Sequence, residues 1–185
     1  NPIHHGHLIC ARAVAEAAGF GRIRLIPSAV PPHKRTSVDL ASPQQRLAMC
    51  RLVSEHDPLF EVDDLELQRT GPSYTLETAR LLRESGLQEV FWLVGADMAA
   101  DLPNWYRAAE LIEQVNFVLM ARPGWTFDFA RLPHAFQKLK DQVVQAPLIQ
   151  ISATDIRRRV KAQQSIRYLV PEAVEQYILS ERLYI

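Results

Sequence analysis

Short apolar runs alternate with helix-patterned stretches along the whole chain. Residues 8–18 are Ala-rich, with Leu8, Ile9, Val14 and Ala15 on one side, which predicts a helix stopped by Gly19 and Gly21. Residues 23–26 predict a short strand closed by Pro27, and residues 28–41 a loop stiffened by Pro31-Pro32. Ser42 as N-cap and Pro43 at the first helical position predict a helix to about Ser54, and residues 59–62 predict a second strand. Thr75 is a candidate cap for a helix running to Ser85, with Gly86 as its stop. Residues 89–94 (Glu-Val-Phe-Trp-Leu-Val) predict a buried strand, residues 108–114 a helix and residues 117–120 another buried strand. Residues 126–142 give no clear pattern, residues 147–151 predict a strand, and residues 153–162 and 171–180 predict the last helices. Short apolar strands that alternate with helices are the pattern of an α/β fold. The expected architecture is a doubly wound, Rossmann-like parallel sheet with helices on both faces and a C-terminal helical segment.

Composition narrows the class. The 185 residues suit a single domain, and 21 basic residues balance 21 acidic ones. Zero net charge argues against a general nucleic-acid-coating protein, yet leaves room for one small anionic ligand. The apolar content of 48% and charged content of 23% are those of an ordinary globular chain rather than a disordered one. No apolar run approaches the roughly 20 residues that span a bilayer, and no secretory leader opens the chain, so no membrane partner is expected. Cys10 and Cys50 fall in helical, apolar surroundings, so a reducing cytoplasm is expected rather than a disulfide framework.

Five constellations carry candidate chemistry. His4-His5-Gly6-His7 stands directly before the first predicted helix, where free N–H groups and the helix dipole favour an anion. His4 and His7 are then candidates for one phosphate group, with Gly6 allowing a tight turn and close approach. A surface histidine cluster and a metal site are the competing readings, although a metal needs ligands that the chain does not place nearby. The segment 151–159 offers Ser152 as N-cap, Asp155 as the partner of a capping-box-like turn, and Arg157 near the positive end of a helix. A cation is unfavourable there unless an anion compensates it, whereas Arg158 and Arg159 read as a solvated face. His33 and Lys34 follow the two prolines of the loop and suit presentation to a ligand, or are simply exposed. Gly95 and Asp97 end the strand of residues 89–94, where a carboxylate can bind ribose hydroxyls or cap a helix. Tyr74 and Thr75, with Trp105 and Tyr106, offer flat faces for an aromatic ring, or else pack in the core.

Together these residues resemble a known family. His4-x-Gly6-His7 and Ile151-Ser152-x-Thr154-x-Ile156-Arg157 are similar to the two signatures of the nucleotidyltransferase superfamily. The segments at Val30–Lys34, Pro72–Thr75, Val94–Asp97, Trp105-Tyr106 and Arg122–Gly124 resemble, in order, those of bacterial nicotinate-nucleotide adenylyltransferases. The resemblance spans nearly all of the chain and implies one nucleotidyltransferase domain over residues 1–185, with 151–185 as its C-terminal helical part. It also implies that Asn1-Pro2 is the remainder of a Gly-Gly-Thr-Phe-(Asp/Asn)-Pro turn. The family's first strand and its glycines are then expected to be missing from this chain.

The resemblance implies adenylyl transfer from ATP to nicotinate mononucleotide, giving nicotinate adenine dinucleotide and pyrophosphate in NAD biosynthesis, with no covalent enzyme intermediate. His4, His7 and Arg157 would be catalytic. ATP would contact His4, His7, Gly95, Asp97, Ser152 and Arg157. The acceptor side would involve His33, Lys34, Tyr74, Thr75, Trp105 and Tyr106. Mg²⁺ would enter with ATP, held mainly by phosphates and water, and no dedicated metal ligands are expected. Other acceptors remain open, such as nicotinamide mononucleotide or phosphopantetheine, as do a non-catalytic nucleotide-binding module and an interaction domain. A homo-oligomer is compatible with the sequence and not specified by it.

Overall fold

The computed structural model describes residues 1–32, 40–87 and 89–185. In chain order the elements are α1 (His5–Ala18), β1 (Ile23–Leu25), α2 (Pro43–Ser54), β2 (Phe60–Val62), α3 (Thr75–Glu84), β3 (Phe91–Gly95), α4 (Ala108–Gln114), β4 (Asn116–Ala121), β5 (Val143–Gln145), α5 (Ala153–Lys161) and α6 (Glu172–Ser180). They group into two compact units, Asn1–Pro72 with Ile149–Ile185, and Ser73–Leu148.

In the first unit β1 and β2 pair in parallel, with Ile23 opposite Phe60 and Leu25 opposite Val62. Arg24 bridges Glu61 and Asp63 across this pair, an exposed contact worth at most about 1 kcal/mol. The capping box of α2 forms as its residues predict: Ser42 Oγ accepts from Gln45 N, and Gln45 Oε1 accepts from Ser42 N. The other helix ends are built by long-range contacts. α1 begins at His5, a turn earlier than the apolar pattern, because His5 N donates to Leu169 O at 3.0 Å. Gly6 and His7 thus lie inside the first helical turn rather than in a loop before it. Val14, Met49, Val53, Ile156, Val174 and Ile178 form the buried interior of this unit.

The second unit has a parallel sheet of order β3-β4-β5. β4 is central, with Phe117 opposite Trp92 and Leu119 opposite both Val94 and Val143. Four of its six residues are buried, as a strand flanked on both edges and covered on its faces requires. The expected strand at residues 147–151 is not in the ladder. β5 forms instead at Val143–Gln145, where two β-branched residues precede Pro147, which has no N–H to donate. Residues 126–142 hold two 3₁₀ turns, Phe129–Arg131 and His134–Gln142, whose Phe136 and Leu139 are buried in the core. Thr75 opens α3 as its first residue, and the cap position belongs to Tyr74, in extended backbone.

Candidate functional site

In the first unit, the extended conformation of His4 turns the chain into α1 and stacks its ring on that of His7, with centroids 3.6 Å apart and planes 18° off parallel. The two rings are not equivalent. His4 is 4% exposed, whereas His7 lies on the surface and is the one open to a ligand. Gly6 serves this packing: a Cβ there would stand 3.0 Å from His4 Nδ1 and 3.4 Å from Ile149 Cγ2. Its backbone φ is not in the left-handed region, so the requirement is close approach rather than turn freedom.

Burial, and then the neighbouring His7, push His4 down from 6.5 to about 3. His4 is therefore a neutral imidazole at physiological pH, able to donate or accept a hydrogen bond but not to act as a cation. The unfolded chain takes up this proton as pH falls through 6.5, and the folded one only near 3. The stability that this creates is fully present above 6.5 and is lost as pH falls toward 3, by up to about 1.4 kcal/mol per pH unit. Urea melts at pH 7.5, 6 and 5 should show that decline, and His4→Asn should flatten it. An unchanged slope in the variant would remove His4 as its source.

The second signature caps α5. Ser152 Oγ accepts from Asp155 N at 3.1 Å. Only this half of the expected capping box forms, because the Asp155 carboxylate engages Arg158 instead. Arg157 departs from its exposed neighbour Arg158. It is half-buried, with Nη1 donating to Asn1 O at 2.8 Å and Nη2 to Thr154 Oγ1 at 3.4 Å. Its Nε is buried without a partner among the described residues. Asn1, which precedes the first signature by three residues, thus ties the second signature to the segment leading into the first. Arg46 donates to Ala41 O at 3.2 Å and to Ala29 O at 3.3 Å, tying the ends of the Pro31-Pro32 loop together. His33 and Lys34 lie outside the described residues.

In the second unit, Gly95 ends β3 and leads into a 3₁₀ turn over Ala96–Met98. The exposed Asp97 side chain folds back over Gly95, where an added Cβ would meet Asp97 Oδ1 at 2.5 Å. Only glycine leaves this carboxylate in its place at the strand end. Tyr74 and Tyr106 stack face to face, 4.1 Å apart at 15°, and Tyr106 is 44% exposed. Trp105 is half-buried. Its ring meets Phe117 edge-on at 6.3 Å, and its Nε1 donates to Asp101 Oδ2 at 3.2 Å. Tyr106 and Tyr74 therefore form the accessible aromatic surface, while Trp105 is anchored in the core on one side. Thr75 is half-buried beside them at the start of α3.

Among the described residues, no group of three or more His, Cys, Asp or Glu side chains could hold a metal ion. No helix among them is long and apolar enough to cross a membrane. Sequence reasoning passed over Asn1 as an anchor and over Tyr184, whose hydroxyl donates to Asn1 Oδ1. Neither carries a local signal, since the contact spans nearly the full length of the chain.

The cytidylyltransferase-like family profile matches residues 1–159. Relatives named "Probable nicotinate-nucleotide adenylyltransferase" align with all of this chain. The one from Roseiflexus sp. (strain RS-1) is 39% identical, with 93% of its length covered. The one from Geobacillus thermodenitrificans is 40% identical, with 82% covered. The solved structure of Plasmodium falciparum nicotinic acid mononucleotide adenylyltransferase complexed with NaAD shares the fold, with a TM-score of 0.77 at 15% identity over 99% of this chain and 92% of that one. That of a Vibrio parahaemolyticus putative nicotinate-nucleotide adenylyltransferase superposes with a TM-score of 0.65 at 18% identity, over 100% of this chain and 89% of that one. With the fold, both signatures and full-length identity in agreement, this chain belongs to the cytidylyltransferase-like family and, within it, to the nicotinate-nucleotide adenylyltransferases.

Proposed function

We propose that this protein transfers the adenylyl group of ATP to nicotinate mononucleotide, releasing nicotinate adenine dinucleotide and pyrophosphate, as a step of NAD biosynthesis. The observation that carries this reading is that both signatures lie in one unit and each meets a residue flanking the other: Gly6 lies against Ile149, and Arg157 is bonded to Asn1. A histidine on a helix N-terminal turn and an arginine one turn into another helix are suited to a polyphosphate. All 185 residues are read as one nucleotidyltransferase domain.

In the reaction an oxygen of the mononucleotide phosphate attacks the α-phosphorus of ATP, and the bond from that phosphorus to the bridging oxygen of pyrophosphate breaks. The chain needs no nucleophile of its own. Its contribution is positioning, and donors aimed at the charge that builds on the phosphoryl oxygens. His7 offers its exposed imidazole to the α-phosphate, and neutral His4 orients it from beneath through the ring stack. Arg157 and Ser152 serve the β- and γ-phosphates, and His33 and Lys34 are assigned to the phosphates by their motif alone. Gly95 and Asp97 serve the adenosine ribose. Tyr74, Trp105 and Tyr106 serve the pyridine ring, and Thr75 and the Tyr106 backbone N–H its carboxylate. Mg²⁺ belongs to the substrate as MgATP, held mainly by the phosphates and water. Cys10 and Cys50 suit a reducing cytoplasm, and burial pushes Cys50 up to about 11, away from reactivity.

Pyrophosphate release measured side by side with nicotinate and nicotinamide mononucleotide tests the reading. The nicotinate form should have the higher kcat/KM by at least about tenfold, since a site built for a carboxylate leaves donors unpaired against an amide. Equal or reversed preference would overturn the acceptor assignment. ATP binding without pyrophosphate release would overturn catalysis itself.

A further inference from the structure

We propose that Tyr184 is a positioning residue for Arg157, acting through Asn1; the inference rests on the reading that Arg157 holds the ATP phosphates. Asn1 is the junction. Its backbone oxygen accepts from Arg157 Nη1 at 2.8 Å, and its side-chain Oδ1 accepts both from Ala41 N at 3.3 Å and from the Tyr184 hydroxyl. One residue thereby ties the second signature, the segment leading into α2, and the C-terminal tail.

The tail is built to reach it. After α6 the backbone of Arg182 (φ 51) and of Tyr184 (φ 64) is left-handed, a costly conformation for residues with side chains. Between them Leu183 N donates to Ile178 O at 2.9 Å, and the Leu183 side chain is 7% exposed. Leu183 locks the reversal into the interior, and Tyr184 then turns back toward Asn1. Burial raises the pKa of the Tyr184 phenol, outweighing the opposing pull of Arg157 and Arg46, so the hydroxyl stays protonated and keeps donating.

Tyr184 is separate in sequence from both signatures, yet it controls where the carbonyl that aims the Arg157 guanidinium stands. Thr154 Oγ1, at 3.4 Å, is too long a contact to hold that guanidinium in one direction without help. Loss of the hydroxyl should leave the fold in place and loosen the arginine.

The test is a cycle of Tyr184→Phe, Arg157→Ala and the double variant, assayed with MgATP and nicotinate mononucleotide alongside thermal melts. Tyr184→Phe should raise the KM for ATP about three- to tenfold and leave that for the mononucleotide within about twofold, the size of effect that one lost hydrogen bond allows. In the Arg157→Ala background the same change should add nothing. Asn1→Ala should reproduce the ATP-specific effect, and it stands in should Tyr184→Phe fail to fold. A lowered melting temperature with both KM values unchanged, or losses that multiply in the double variant, would overturn the proposal and leave the tail a structural anchor. If Arg157→Ala alone leaves ATP use intact, the assignment of Arg157 falls and the inference with it, an outcome distinct from the other two.

Discussion

His7→Ala is expected to lose about a hundred- to a thousandfold in turnover while remaining folded. The magnitude is that of removing one preorganised donor from a site where charge builds in the transition state. His7 is exposed and its ring covers His4, so little buried apolar surface is lost with it. The expected secondary effect is on His4. Its proton affinity is held down first by burial and then by His7, and the variant relieves both. His4 should therefore titrate closer to 6.5 in the variant, and the acid-dependent loss of stability should become shallower. Steady-state turnover with circular dichroism on the same sample measures the first effect. Near wild-type turnover in a folded variant would remove His7 from the catalytic role.

Phe117→Ala is expected to cost about 3–5 kcal/mol of stability, the range for deleting a buried phenyl ring. A domain of this size is stable by only about 5–15 kcal/mol, so the change removes a large part of the total. Phe117 is 2% exposed in the central strand β4, beside Trp92 and beneath the edge of Trp105. The cavity would lie beside the Trp105 ring, so, if Trp105 serves the acceptor as proposed, acceptor affinity should fall along with stability. Phe117→Leu should keep most of both, because it stays apolar and fills more of the space than alanine does. Urea midpoints of the two variants decide the matter, and a loss under about 1 kcal/mol for the alanine would show that the ring is not packed as described.

The local rules that were readable along the chain are those that a few neighbouring residues satisfy alone. Ser42, Pro43 and Gln45 specify the start of α2 by their own hydrogen bonds, and α2 begins where they place it. Gly86, at φ 97, follows α3 because a left-handed position favours glycine. α4 occupies residues 108–114, as its apolar spacing and flanking polar residues indicate. Misreadings occur where a distant partner decides. The first turn of α1 exists because Leu169 accepts its first N–H. β5 falls at Val143–Gln145 because β4 offers a ladder there, and apolarity at residues 147–151 does not substitute for a missing donor at Pro147.

The candidate site divides in the same way. Residue type and order alone determined that this chain carries two nucleotidyltransferase signatures, the alternation of an α/β fold, and aromatic residues suited to a flat ring. Spacing along a chain cannot tell which of two histidines three residues apart is buried, since that depends on what the rest of the unit packs against them. The tertiary structure decided that His4 is the shielded, neutral ring and His7 the accessible one. It also decided that Gly6 is needed for close packing rather than for a turn, and that Arg157 is bonded to the Asn1 carbonyl while the Tyr184 hydroxyl donates to the Asn1 side chain. Desolvation and hydrogen bonding depend on which atoms meet in space, and here the residues bonded in a chain to Arg157, Asn1 and Tyr184, come from opposite ends of the sequence.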